Sequence, residues 1–187
     1  MEKETLKNIV RAIAGESMAR NKYTFFASKA KKEGFEQIAA IFLETADNEK
    51  EHANRLMKLL DGATESSLEK YDFPIVGTTS ENLAVAAAGE KHEWNEMYPG
   101  FEKTARDEGM NEAADVFKEI GEVEEQHEKR YLKLKENVDN GTVFKRDTEV
   151  LWHCRNCGYV HKGTEAPEKC PACAHPQAFY ELLAENY

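Results

Sequence analysis

Four carboxylates and two imidazoles stand where a helical sequence should place apolar side chains. Ile38, Phe42, Thr45, Glu49, His52, Leu56 and Leu59 are spaced alternately four and three apart, which marks one buried helix face. An unpaired buried carboxylate costs several kcal/mol, so Glu49 needs a partner. His52 lies one turn away on the same face, and together they suit a single metal ion. Glu124 and His127 repeat the device, while Glu16 and Glu90 occupy the inward stripes of two other helical segments. One Glu from each of two helices and a Glu-x-x-His pair from each of the other two make a ligand set for two metal ions. Glu93, three residues after Glu90, adds a fifth carboxylate and a seventh candidate ligand.

The charge balance favours this reading over a merely acidic bundle. Five carboxylates carry five negative charges, and two divalent irons leave a single one. Two ferric ions bridged by an oxide also leave one, so the site cycles without burying new net charge. Mixed carboxylate and imidazole ligands favour iron over zinc or magnesium and leave manganese open. Tyr23 and Tyr98 fall about two turns beyond Glu16 and Glu90, placed either to donate a hydroxyl to a ligand carboxylate or to pack as core aromatics. Glu51, Glu122, Glu125 and Glu128 read as a solvated face, and His92 and Trp94 as outward or packing residues.

The four cysteines form two Cys-x-x-Cys pairs, Cys154/Cys157 and Cys170/Cys173, with twelve residues between the pairs. Such knuckles converge on one tetrahedral metal, and Gly158 lets the chain turn beneath the sulfurs. Spacing does not choose between iron and zinc. Trp152, Tyr159, Phe179 and Tyr180 are a small core that the metal must help to hold. His153, His161 and His175 find no ligand vacancy and read as surface residues.

Helical periodicity predicts elements over about 5–33, 35–60, 81–108 and 110–138, with Ser80 as the N-cap of the third. Residues 63–80 read as a long crossover between two hairpins, which is a four-helix bundle. Val143 onward is a compositionally distinct unit, so the expected division is 1–140 and 141–187. The bundle repeats internally: a shift of 75 residues carries Phe42, Glu49, His52 and Arg55 onto Phe117, Glu124, His127 and Arg130. Gly15-Glu16 matches Gly89-Glu90 only at 74, whereas Tyr23 matches Tyr98 at 75. The third helix therefore holds one extra residue beside Pro99, which predicts a π-bulge or kink near residues 95–99.

The 187 residues carry a formal charge of −10, which argues against nucleic acid as a partner. There is no apolar run of membrane-spanning length, and Met1-Glu-Lys-Glu-Thr-Leu-Lys is too charged for a signal peptide. The expectation is a soluble cytoplasmic protein, where paired cysteines hold metal in preference to forming disulfides.

Glu16, Glu49-x-x-His52, Glu90-x-x-Glu93 and Glu124-x-x-His127, followed by the two cysteine pairs, resemble the rubrerythrin family over nearly the whole chain. The resemblance implies a mainly α fold, with a ferritin-like bundle followed by a small rubredoxin-like domain. It implies a non-haem peroxidase that reduces hydrogen peroxide to water in oxidative-stress defence. Electrons would come from NAD(P)H through a separate reductase or rubredoxin, then through the chain's own Fe(Cys)4 centre. It also implies a head-to-tail homodimer, and an iron that exchanges a carboxylate for His52 on reduction while Glu93 binds the oxidised form. A ferroxidase or iron-storage module and a redox sensor with zinc in its tail are the alternative readings.

Overall fold

The computed structural model describes residues 3–60 and 75–185. The first hairpin is α1 (Glu4–Lys32) and α2 (Glu36–Leu60). The second is α3 (Thr79–His92), a π-helical turn (Glu93–Met97), α4 (Tyr98–Asp107) and α5 (Asn111–Asp139). Most of the expected crossover lies outside the described residues. The inward stripes are as the periodicity requires: Ile9, Ala12, Ala19, Tyr23, Phe26 and Ala30 are buried on α1, as are Ala113, Phe117, Ile120 and Tyr131 on α5. Among the described residues the bundle's apolar core lies in two clusters, one containing Phe26, Phe42 and Tyr131, the other containing Ile9, Leu56 and Phe117.

The repeat also governs how the hairpins are joined. Gly34 and Gly109 take φ of +82° and +72°, the left-handed conformation that ends a helix cheaply only at glycine. Before each stands a glutamate that caps the first helix of the opposite hairpin. Glu33 accepts the Thr79 backbone N–H at 2.7 Å, and Glu108 accepts those of Glu4 and Thr5 at 2.9 and 3.0 Å. These are helix-start donors with no intrahelical acceptor, so each hairpin closes the other.

One expected cap is corrected. The N-cap of α3 is Thr78 rather than Ser80, with Glu81 completing a reciprocal capping box. Ser80 already lies inside the helix, because Thr78 supplies the extended residue three places before a glutamate that the box needs. The extra residue of the third helix is absorbed as the π turn, which contains Glu93 itself and precedes Pro99.

The tail is a three-stranded antiparallel sheet in the order β2-β1-β3, with β1 Lys145–Cys154, β2 Val160–Glu165 and β3 Tyr180–Leu182. Trp152 and Tyr180 are buried in it. Phe144 stacks on Phe35 at the α1–α2 turn, with ring centroids 6.3 Å apart.

Candidate metal centres

Four helices deliver the polar residues of the seam to two neighbouring points. Glu16, Glu49, His52 and Glu124 place one ligand atom each within 4.8 Å of one another, and so do Glu49, Glu90, Glu124 and His127. Glu49 and Glu124 belong to both groups, so two ions would share two carboxylates. His52 Nδ1 stands 3.0 Å from both Glu49 and Glu124 and 3.6 Å from Glu16. His127 Nδ1 stands 2.7 Å from Glu124, 3.5 Å from Glu49 and 3.7 Å from Glu90.

Close as these atoms are, they are not aligned as hydrogen bonds. Both oxygens of Glu49 and of Glu124, Glu16 Oε2 and both Nδ1 atoms are buried without a hydrogen-bond partner among the described residues. Buried polar atoms are nearly always satisfied. A cation between them meets every one of these lone pairs, and the donor set of carboxylate oxygen and imidazole nitrogen fits a first-row transition metal. The residues present therefore fit two metal ions.

Electrostatics points the same way. Burial raises the carboxyls of Glu16, Glu49, Glu90 and Glu93, and Glu124 raises each of them further. Glu124 is the exception: burial pushes it up, but His127 and His52 outweigh that and lower it. Burial disfavours charge on the imidazoles too, yet Glu124 and Glu90 hold His127 up to about 10. His52 is raised further by Glu124, Glu16 and Glu49. Protons thus neutralise the cluster where metal charge would otherwise do so.

Both tyrosines reach the carboxylates. The Tyr23 hydroxyl donates to Glu90 and the Tyr98 hydroxyl to Glu16, a symmetric pair linking the two hairpins. Each bond leaves the ligand's other oxygen directed at the metal position. Tyr131 packs against Tyr23 and Phe42.

Glu93 keeps part of its surface in solvent although its carboxyl lies deep enough for burial to raise it, and it belongs to neither group of four. The structure therefore gathers six of the seven candidate ligands and leaves the seventh on the π turn beside them. The reading of Glu128 as part of a solvated face needs correcting. It is half-buried and accepts the Trp94 indole N–H at 2.7 Å. Periodicity could not reveal this, since the bond joins the π turn to α5 across 34 residues of sequence. Beside it, Trp94, Tyr98, Phe117 and Gly121 wall a pocket of about 180 Å³.

In the tail the sulfurs of Cys154 and Cys173 are 3.8 Å apart and those of Cys157 and Cys170 are 3.7 Å apart. Metal–sulfur bonds of about 2.3 Å in a tetrahedron give edges of about 3.8 Å, whereas a disulfide is about 2.05 Å. The thiols are free and sized for one tetrahedral metal. Gly158 and Ala174 follow the second cysteine of each knuckle with φ of +81° and +60°, so the sharp turn recurs, once at glycine and once at alanine. The backbone N–H of His175 lowers Cys173 to about 6, whereas Cys157, lowered by the Tyr159 backbone but raised more by the neighbouring thiols, stands at about 12. His153 pairs with Glu181 and His175 packs edge-on to Phe179; neither enters the cluster.

The rubrerythrin family model matches residues 7–135, and the rubrerythrin rubredoxin-like domain matches residues 152–181. The chain belongs to the rubrerythrin family. It is 53% identical over 184 residues to a rubrerythrin of Porphyromonas gingivalis, covering 98% of this chain and 92% of that protein. To a rubrerythrin of Nitratidesulfovibrio vulgaris it is 54% identical over 183 residues, covering 98% and 96%. A solved structure of nigerythrin in a mixed-valence state matches with a TM-score of 0.66 and 37% identity, covering 96% of this chain and 86% of that one. Bacterioferritin A of Mycobacterium tuberculosis, at 18% identity and a TM-score of 0.67, shares the fold alone. The fold is therefore a ferritin-like bundle with a rubredoxin-like domain. Among the described residues no helix is long and apolar enough to cross a membrane.

Proposed function

We propose that this chain is a non-haem di-iron peroxidase that reduces hydrogen peroxide to water, taking up two protons and two electrons per peroxide. One observation carries the reading: two adjacent ligand groups share Glu49 and Glu124 on the same chain as a closed four-thiolate site. Glu16, Glu49, His52, Glu90, Glu124 and His127 would hold the iron pair, with Glu93 available to the oxidised form. Iron held by these residues would supply the electrons for reduction of the O–O bond. Glu49 and Glu124 set the spacing of the two positions. Tyr98 and Tyr23 fix the rotamers of Glu16 and Glu90. Glu93, its carboxyl held up by burial and by Glu16, stores a proton for the departing oxygen.

The four cysteines leave no open coordination position, which suits iron passing single electrons from a reductase or rubredoxin fed by NAD(P)H. Residues 1–140 and 141–187 thus divide the chemistry from the electron supply. Phe35, against which the tail packs, is fourteen residues from Glu49 along α2, roughly 21 Å at 1.5 Å per residue. A head-to-tail homodimer shortens that path by setting the tail of one chain over the bundle of the other. A groove flanked by Ser17, Asn21, Ala53 and Asn54 lies between α1 and α2, and His52 on α2 is the more exposed imidazole, at 13% against 5% for His127. The reading places the protein in the cytoplasm, in defence against oxidative stress.

The test is metal analysis followed by anaerobic mixing of the reduced protein with hydrogen peroxide. The expected result is about three irons per chain, two in the bundle and one in the tail, with both centres reoxidised rapidly. Zinc alone in the tail, or a reduced bundle that ignores peroxide and deposits ferric mineral, overturns the reading in favour of sensing or storage.

A further inference from the structure

We propose that Trp94 and Glu128 are positioning residues, a latch that holds the π turn and sets where Glu93 stands relative to the two metal positions. The inference rests on the di-iron reading and adds to it two residues outside the ligand set.

A π turn is a poorer backbone arrangement than the α-helix around it and persists only where the surroundings hold it. Among the described residues, one side-chain hydrogen bond of segment 93–97 reaches another element: the Trp94 indole N–H to Glu128 on α5, at 2.7 Å. The other polar contact of the segment, His92 with Glu96 at 3.3 Å, stays within its own helix and is exposed. Glu128 directly follows His127 and lies one turn beyond Glu124, so the latch ties the π turn to the helix that carries two ligands.

The internal repeat supplies a control. A shift of 74 sets Trp94 on Arg20, and a shift of 75 sets Glu128 on Ala53. Arg20 is exposed and Ala53 offers no acceptor, so α1, which has no π turn, has no latch. Device and bulge occur together in one half of the bundle and are both missing from the other. Neighbouring residues of a single turn rotate together. Bringing Glu93 inward must therefore rotate Trp94 or stretch its bond to Glu128, so the bond opposes that motion.

The test measures the midpoint potentials of both centres in the full-length iron protein, with Trp94→Phe, Glu128→Leu and Glu128→Gln, each alone and in a Glu93→Gln background. Trp94→Phe and Glu128→Leu are expected to change the oxidised-over-reduced preference of the iron pair at least tenfold, about 59 mV for one electron. Glu128→Gln keeps an acceptor oxygen and should recover most of the native value, while the four-cysteine centre stays unmoved. In the Glu93→Gln background the effect should shrink to less than threefold. A second readout needs no metal: amide hydrogen exchange at 93–97 should accelerate at least tenfold in Trp94→Phe while α1 stays protected.

Equal shifts in both backgrounds, no shift, or faster exchange across the whole bundle overturn the proposal. A wild-type bundle that takes up no iron pair sinks the di-iron reading and, with it, the part of the proposal that concerns Glu93. The exchange experiment then judges the latch by itself.

Discussion

Replacing Tyr98 with phenylalanine removes one hydroxyl and tests how the bundle prepares its carboxylates. That hydroxyl donates to Glu16, whose side chain is only 1% exposed, so water cannot take its place. The ring otherwise packs against Phe101 and Phe117, and phenylalanine preserves those contacts. A hydrogen bond to a charged group contributes about 1.5–3 kcal/mol, and stranding the acceptor in the interior forfeits it in full. Glu16 is charged when it ligates metal, whereas burial raises its carboxyl and favours the proton without metal. The loss therefore falls on the metal-bound state. At 1.4 kcal/mol per decade, affinity at the Glu16 position should drop about tenfold to a hundredfold, with little change in the melting of the metal-free protein. Cobalt(II) titration followed by visible absorption resolves the two positions. Tyr23→Phe should act on the position served by Glu90 instead. A loss below threefold, or equal weakening of both positions by either variant, refutes the idea that each tyrosine orients one ligand.

Further outcomes follow from the same structure. Both imidazoles are protonated at neutral pH in the metal-free protein, so metal binding should release at least one proton from each, seen by calorimetry in buffers of different ionisation enthalpy; no release contradicts the assigned cluster. Because their folded-state values are raised, the stability they give the metal-free fold is fully present below about 6.5 and is lost as the pH rises through about 10 for His127. Apparent metal affinity should rise over that same window. Ala174→Gly relieves a left-handed alanine and should slow metal loss from the cysteine site by up to about 1 kcal/mol, whereas Gly158→Ala should accelerate it by a similar amount. Glu33→Ala uncaps α3 and should destabilise the bundle by about 1 kcal/mol in thermal melting, leaving the four-cysteine spectrum unchanged.

Much of this protein is legible in one dimension because its information is periodic. A helix places every third or fourth residue on one face, so Glu49, His52, Glu124 and His127 declare themselves by interrupting an apolar stripe. The repeat doubles that signal, and its one-residue slip exposes the π turn before any coordinates exist. Two Cys-x-x-Cys knuckles are equally local, since each pair needs only its own turn.

What the sequence did not settle depends on rotations and on pairings across elements. Ser80 and Thr78 are both competent caps, and the choice between them rests on which one places a glutamate three residues later at the helix start. Glu93 has the right phase for a ligand, yet it stands on the π turn and belongs to neither group of four. The Trp94 indole N–H reaches Glu128 on α5, so an acid that periodicity assigns to the surface serves as an acceptor. The reciprocal capping by Glu33 and Glu108 spans opposite hairpins, so no local pattern contains it. Side-chain type and spacing identify which residues can bind metal; the tertiary fold decides which oxygens converge, which stand aside, and what holds them there.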